Sequence, residues 1–139
     1  MTNITRRFQF CAGHRLVDHE GKCAHLHGHN YVALVTCAAD ELDAVGRVID
    51  FSVVKQVVGD WIDRAWDHKM ILNTDDMDAI AACQSIDDPV YLMTCNPTAE
   101  NMARELLEVA DGLLREQHDI AVVGVRLWET ENCDAEVRR

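Results

Sequence analysis

The sequence lacks the long apolar segments by which membrane-spanning and exported proteins are recognised. None of its apolar runs approaches the roughly 18 residues that a membrane-spanning helix requires. Its first seven residues, from Met1 to Arg7, contain no apolar core of the length found in a secretory signal peptide. We therefore expect a cytoplasmic protein that has no membrane partner.

Basic residues are also scarce. The chain carries 13 lysines and arginines against 24 aspartates and glutamates, so its formal net charge is −11 with histidine neutral. A field of that sign repels polyphosphates, and it argues against nucleic-acid binding through a broad basic surface. An anionic small molecule is compatible with this charge only where a local cluster of lysine or arginine reverses the field.

The six cysteines include no C-x-x-C pair. An even count is compatible with three disulfides, but the chain is larger than most disulfide-dense domains and carries no export signal. We predict instead that Cys11, Cys37, Cys83 and Cys95 are small buried apolar residues. With 139 residues, 48% of them hydrophobic and 27% charged, the chain has the length and composition of one folded domain over residues 1–139.

The hydrophobic periodicity predicts an α+β fold. Alternation with a period of two indicates strands over residues 6–14, 27–38, 90–95 and 120–129, and helical spacing indicates helices over residues 51–66 and from Asn96-Pro97-Thr98 onward. The acidic connection 74–89 is predicted to be a solvated loop, because its spacing does not match a calcium-binding loop. We expect a mainly antiparallel sheet with two helices packed on one face.

The segment between the first two predicted strands is rich in histidine. His27 and His29 are two residues apart, so on a strand they project from the same face, and His14 ends the neighbouring strand. Three imidazoles can hold a zinc ion and leave one position open, which is the pattern of catalytic zinc. The alternative is that these are ordinary hydrogen-bonding histidines.

At three further positions, the spacing alone leaves the chemical role of the residues open. Cys23 lies four residues before His27, where a thiolate serves either as a fourth zinc ligand or as a general base. Asp67-His68 is either a proton relay or a salt bridge at a helix end. Glu129 ends an apolar strand face and is either a ligand anchor or the point at which the strand reaches solvent.

Taken together, these residues resemble the 6-pyruvoyl-tetrahydropterin synthase superfamily, and within it the bacterial 6-carboxytetrahydropterin synthases. The matching pieces occur in family order along nearly the whole chain. They are Phe10-Cys11-Ala12-Gly13-His14-Arg15-Leu16, Cys23-Ala24-His25-Leu26-His27-Gly28-His29-Asn30, Ile49-Asp50-Phe51, Asp67-His68, Leu72-Asn73, Asn96-Pro97-Thr98-Ala99-Glu100-Asn101 and Glu129-Thr130.

The resemblance implies a role for each of these sites. Zinc would be held by His14, His27 and His29, and Cys23 would be the catalytic proton acceptor. His68, oriented by Asp67, would tune proton transfer. Glu129 would anchor the pterin ring, with Thr98 and Glu100 near the same pocket. Glu100 also lies in a first helical turn, where the dipole favours an acid without any ligand.

The resemblance also implies a fold and a reaction. The fold would be the tunnelling fold, whose small subunits join their sheets into a barrel, usually as a homo-hexamer with active sites at subunit interfaces. The substrate would be 7,8-dihydroneopterin triphosphate, converted without a redox cofactor to 6-carboxytetrahydropterin, acetaldehyde and triphosphate in queuosine biosynthesis. Arg15, Lys22 and Lys69 are candidates for the triphosphate. The alternatives are a pyruvoyl-forming synthase and a non-catalytic zinc- or pterin-binding oligomer.

Overall fold

Two long strands with alternating hydrophobic residues form the centre of the sheet. In the computed structural model, which describes residues 1–139, β1 is Thr2–His14 and β2 is His27–Ala39. They pair antiparallel over their full lengths, so the last residue of β1 lies opposite the first residue of β2. Alternate side chains of both strands enter the core, which contains Phe8, Phe10, Tyr31, Ala33 and Val35.

The remaining elements extend this pair on both sides. In chain order they are a 3-10 turn at Lys22–Ala24, α1 Phe51–Ala65, β3 Lys69–Asn73, α2 Met77–Ser85, β4 Val90–Met93, α3 Ala99–His118, β5 Ala121–Thr130 and β6 Cys133–Arg138. The strand order across the sheet is β4-β3-β1-β2-β5-β6. No helix is both long and apolar enough to cross a membrane.

Side-chain caps fix the starts of the two longer helices. The Asp50 carboxylate accepts a hydrogen bond from Ser52 N at the start of α1, and Thr98 Oγ1 accepts one from Asn101 N at the start of α3. Both helices pack on the same face of the sheet, where Val54, Leu106 and their neighbours join the core of β1, β2 and β5. The predicted α+β class is therefore confirmed, with two helices on one face.

The prediction of a loop over residues 74–89 was wrong, because α2 lies there. Asp76 caps this helix by accepting from Ala79 N, and its buried carboxylate is also bound by the Arg15 guanidinium. Ala79 and Cys83 pack on Leu72 in a small cluster of their own. Since neighbouring strand residues face opposite ways and Ile71 belongs to the main core, α2 covers the other face of β3. The main contact that holds α2, the one between Asp76 and Arg15, is with a residue distant in sequence. The local hydrophobic pattern therefore did not indicate this helix.

The sheet is mainly antiparallel, as predicted, but it also contains two parallel pairings and two strands that the periodicity missed. β3 pairs parallel with β1, which it reaches by the connection through α1, and with β4, to which it is joined through α2. β6 pairs antiparallel with β5. Neither strand was predicted, since β3 has only five residues and β6 buries none. The prediction that Cys11 is buried was also wrong, whereas Cys37 and Cys83 are buried and Cys95 is half-buried.

A buried carboxylate joins α3 to the end of the sheet. Asp111, 6% exposed, accepts hydrogen bonds from Val122 N at 2.8 Å, Arg115 Nε at 2.9 Å and Arg139 Nη1 at 2.6 Å. Burial by itself would raise the pKa of Asp111, but these donors outweigh it and hold the pKa below its ordinary value. The charged carboxylate therefore stabilises the folded state.

We expect Asp111→Ala to lower the free energy of unfolding by about 2–3 kcal/mol at pH 7, because three donors lose a buried acceptor. The pKa of Asp111 is depressed on folding, so its contribution is present above the ordinary Asp pKa of about 3.9 and lost as pH falls through the folded value. Urea unfolding at pH 7 and in acid checks this. Asp63→Ala, at an exposed position of α1, is the control. An equal loss of unfolding free energy at both pH values would contradict this prediction.

Candidate metal centre and adjoining cavity

The pairing of β1 with β2 brings together the three histidines predicted from the sequence. His14 lies opposite His27, and His29 is the next residue of β2 on the same face. One ring nitrogen from each histidine lies within 4.8 Å of the others. In a tetrahedral zinc site with bonds of 2.0–2.1 Å, nitrogen ligands lie about 3.3 Å apart, so small ring movements suffice.

Backbone carbonyls orient two of these rings. His14 Nδ1 donates to Pro97 O at 2.7 Å, and His27 Nδ1 donates to His25 O at 2.6 Å. In a neutral imidazole the other nitrogen then carries a lone pair, and the two Nε2 atoms face each other at 3.0 Å. His29 Nε2 is buried and has no hydrogen-bond partner. Three such acceptors aimed at one point fit a divalent cation.

Burial favours the neutral form of two of the three histidines. It lowers the pKa of His14 and of His29, and the nearby Glu129 carboxylate opposes this shift only in part. Neutral imidazoles are the form that binds a metal ion. The Glu129 oxygens lie 3.4 Å from His29 Nε2 and 4.0 Å from His14 Nε2, so a negative charge faces the place where a cation would sit.

Glu129 also lines the cavity beside the histidines. It follows Val125 and Leu127 on the buried face of β5, and the pairing of β5 with β6 shifts register at Glu129 itself. Such a bulge re-aims the side chain that it contains. The cavity is lined by Leu16, His19, Thr98, Ala99, Glu100, Glu129, Cys133 and Asp134. The structure therefore brings together the three residues that the resemblance assigns to the pterin pocket.

Cys23 lies in the 3-10 turn between β1 and β2, half-buried and outside the histidine set. Its backbone carbonyl accepts from Leu16 N at 2.8 Å, which closes the loop.

The Tyr31 hydroxyl lies 3.3 Å from His14 Nδ1. Burial raises the pKa of Tyr31, and the negative charges of Glu129 and Cys23 raise it further.

Asp67 and His68 are not brought to this cluster within one chain. His68 Nδ1 lies 2.9 Å from Asp67 Oδ2, and Asp67 Oδ1 accepts from Cys11 N. Burial alone would raise the pKa of Asp67, but the hydrogen bonds from Cys11 N and His68 hold it below its ordinary value. The His68 side chain is 78% exposed and lines a pocket that Cys11, His29 and Asn30 also line. The side chains of Cys11 and Asn30 are on the sheet face opposite the three histidines.

The candidate phosphate-binding side chains differ in their availability. The Arg15 guanidinium is held by the buried Asp76 carboxylate, which leaves fewer of its donors free. Lys22 is exposed and directly precedes Cys23. Lys69 is half-buried at the start of β3, next to the Asp67-His68 pair.

Sequence reasoning missed part of the cavity wall. His19, Cys133 and Asp134 line the cavity, although the sequence assigned none of them to the site. Cys133 and Asp134 reach it because β6 folds back on β5 next to Glu129. No local motif marks Cys133 or Asp134, so only the geometry of the β5–β6 hairpin could have identified them.

We expect the wild-type chain to bind about one zinc ion and His27→Ala to bind almost none, because a catalytic site has only three protein ligands. His25→Ala is the matched control, since the His25 ring makes no hydrogen bond and its backbone carbonyl remains in place. Metal analysis after dialysis measures both variants. Full zinc retention by His27→Ala would contradict the ligand assignment.

Comparison with known proteins places the chain in a family. The family model of 6-pyruvoyl tetrahydropterin synthase matches residues 3–139. A 6-carboxy-5,6,7,8-tetrahydropterin synthase from Rickettsia conorii is 41% identical, covering 99% of this chain and 100% of that protein. The enzyme of the same name from Haemophilus influenzae is 30% identical over 94% of both chains.

Solved structures show the same fold. An uncharacterized protein from Wolinella succinogenes superposes with a TM-score of 0.83 at 24% identity, covering 99% of this chain and 98% of that one. The 6-pyruvoyl tetrahydropterin synthase of Caenorhabditis elegans gives a TM-score of 0.74 at 23% identity, covering 99% and 95%. The fold is therefore the tunnelling fold that the resemblance implied. The chain belongs to the 6-pyruvoyl tetrahydropterin synthase family.

Proposed function

We propose that residues 1–139 form one catalytic domain, a zinc-dependent lyase that converts 7,8-dihydroneopterin triphosphate and water to 6-carboxytetrahydropterin, acetaldehyde and triphosphate in queuosine biosynthesis. The observation that carries the proposal is the convergence of three histidine nitrogens beside a cavity lined by Glu129, Thr98 and Glu100. Relatives named 6-carboxy-5,6,7,8-tetrahydropterin synthase that match the full chain at about 40% identity support this choice of product.

His14, His27 and His29 would hold the zinc ion. When bound there, zinc acts as a Lewis acid that acidifies the C–H and O–H groups of the substrate side chain. Cys23 accepts a proton from that side chain, since it lies in the segment that joins His14 to His27 and its sulfur is not one of the three ligands. A thiol near a dication loses its own proton more readily, which provides the thiolate that this step requires.

Glu129 would anchor the pterin ring. Its carboxylate is only 23% exposed and can accept hydrogen bonds from ring N–H groups that face it across the cavity. Thr98 Oγ1 already accepts from Asn101 N, so its hydroxyl proton is free to donate to the ring. Glu100, exposed in the first turn of α3, provides a second acceptor at the cavity rim.

Oligomer formation would complete the site. Asp67 and His68 are not part of the histidine cluster of their own chain, and we propose that they serve as a proton relay for Cys23 of a neighbouring subunit. The edges of the sheet support assembly, because β3 covers only Ala12–His14 of β1 and β6 has no partner on its outer side. Strand pairing between subunits would remove these open edges and close a barrel. We propose a homo-hexamer of this kind.

Lys22 is the side chain that we propose for the triphosphate. It is exposed in the turn that carries Cys23, and Arg15 is already committed to Asp76. In a chain of net charge −11, a polyanion needs a local positive group of this kind.

The reaction itself is tested by incubating the zinc-loaded protein with 7,8-dihydroneopterin triphosphate. The proposal predicts a pterin with the mass of the 6-carboxy product and an equal amount of acetaldehyde. A pterin that keeps its three-carbon side chain, without acetaldehyde, would identify a pyruvoyl-forming synthase instead. No conversion at all would favour a non-catalytic zinc- or pterin-binding oligomer.

We expect Cys23→Ala to lower turnover by at least about 100-fold while zinc stays near one per chain, because the thiol moves a proton and does not hold the metal. Cys83→Ala, in the separate cluster under α2, is the control for general effects of losing a thiol. Steady-state kinetics and metal analysis are measured on the same samples. Loss of zinc together with thermal stability in Cys23→Ala would show that Cys23 is a structural ligand.

We expect Glu129→Ala to weaken binding of 7,8-dihydroneopterin by about 10- to 100-fold with zinc retained, because a charged acceptor of the ring is lost. Glu131→Ala removes an exposed carboxylate two residues away and is the matched control. Calorimetric titration compares the two variants. Unchanged affinity in Glu129→Ala would rule out the anchor role.

A further inference from the structure

The loop that carries Cys23 is attached to the rest of the chain at few points. This connecting loop, residues 15–26, joins His14 to His27 and is closed at its base by the bond from Leu16 N to Cys23 O. Apart from contacts with its two flanking strands, its hydrogen bonds to other elements are made by Arg15 and Val17 alone. Arg15 is next to His14, so Val17 is the only such attachment farther along the loop.

A single side chain, that of Asn96, makes both hydrogen bonds to Val17. Val17 N donates to Asn96 Oδ1 at 3.0 Å, and Asn96 Nδ2 donates to Val17 O at 2.9 Å. The amide imitates a strand partner, because it offers one donor and one acceptor side by side. Neither alanine nor aspartate can make this pair of bonds at neutral pH.

The Asn96 amide is itself held in one orientation. Asn73 Nδ2, at the end of β3, donates to Asn96 Oδ1 at 3.2 Å. Asn101 Nδ2 and Thr98 N both donate to the backbone carbonyl of Asn96, at 2.9 and 2.8 Å. These contacts fix both the side chain and the backbone of Asn96, so the loop is attached to a rigid point.

The same short segment also holds the other parts of the site. Pro97 O accepts the hydrogen bond from His14 Nδ1, and Thr98 and Glu100 line the cavity. Asn96 therefore joins the connecting loop to the residues that orient a metal ligand and shape the cavity. A shift of the loop away from Asn96 would move Cys23 relative to both.

We propose that Asn96 is a positioning residue that holds the connecting loop, and with it Cys23, in register with the histidine cluster. The catalytic consequence rests on the proposed function. Asn96 lines neither the cavity nor the histidine cluster, so it acts through Val17 and not on the substrate.

The test compares Asn96→Ala and Asn96→Asp with the wild type and with Asn3→Ala, a control at an exposed residue whose side chain makes no hydrogen bond. Hydrogen exchange of the zinc-loaded protein is measured without substrate. The alkylation rate of Cys23 by iodoacetamide is followed by peptide mass, with Cys11 as the internal reference. Zinc content, kcat and KM complete the set.

In both Asn96 variants we expect exchange in residues 15–26 to accelerate by about tenfold or more, because two hydrogen bonds to the loop are lost or weakened. Cys23 alkylation should change while Cys11 alkylation does not, and zinc should stay near one per chain. A misplaced proton acceptor should lower kcat by about 10- to 100-fold, with a smaller change in KM. Asn3→Ala should match the wild type throughout.

Wild-type exchange and alkylation in both Asn96 variants would overturn the inference, as would acceleration spread evenly over every element. If Asn96→Ala does not fold, Asn96→Asp decides, since it is isosteric and keeps the acceptor for Val17 N. Absence of product with the wild type would contradict the proposed function alone, because exchange and alkylation are read without substrate.

Discussion

The register of β1 against β2 is the constraint on which the rest of the site depends. It places His14 opposite His27, with His29 on the same face. A slip of one residue would turn two of these histidines to the other face of the sheet. Gly28, between His27 and His29, allows the close approach of the two strands, since a Cβ there would lie 3.2 Å from Ala12 O. The long run of pairing along β1 and β2 fixes this register far from the site, so the histidines need not stabilise it themselves.

Around β1 and β2, backbone groups position most of the residues of the site. The carbonyls of Pro97 and His25 fix two ring orientations, and Asn96 fixes the loop between the histidines. A site arranged in this way is organised before any ligand binds. Burial favours the neutral form of His14 and His29, and the Glu129 carboxylate places a negative charge beside them. The negative charge of Glu129 therefore favours binding of a cation at the histidines, although the proposed substrate of the protein is a polyanion.

Much of the central architecture could be predicted from the sequence, because its signals are local. Alternating and strand-favouring residues identified β1, β2 and β5, and helical spacing from residue 51 and the segment Asn96-Pro97-Thr98 indicated the starts of α1 and α3. The elements that were missed depend on distant partners. α2 is anchored by Arg15, β6 buries no residue of its own, and the parallel pairing of β3 follows from the path of the chain through α1. The separation of Asp67-His68 from the histidines could not be predicted either, because the order of residues along the chain does not indicate on which face of the sheet they lie.

The central claim is that three imidazoles converge on one point while the Cys23 sulfur stays outside the coordination shell. X-ray absorption at the zinc edge of the loaded, substrate-free protein tests this most directly. The account predicts a first shell of nitrogen and oxygen atoms only, at about 2.0–2.1 Å, with scattering typical of imidazole. A zinc–sulfur distance of about 2.3 Å in that state would contradict it.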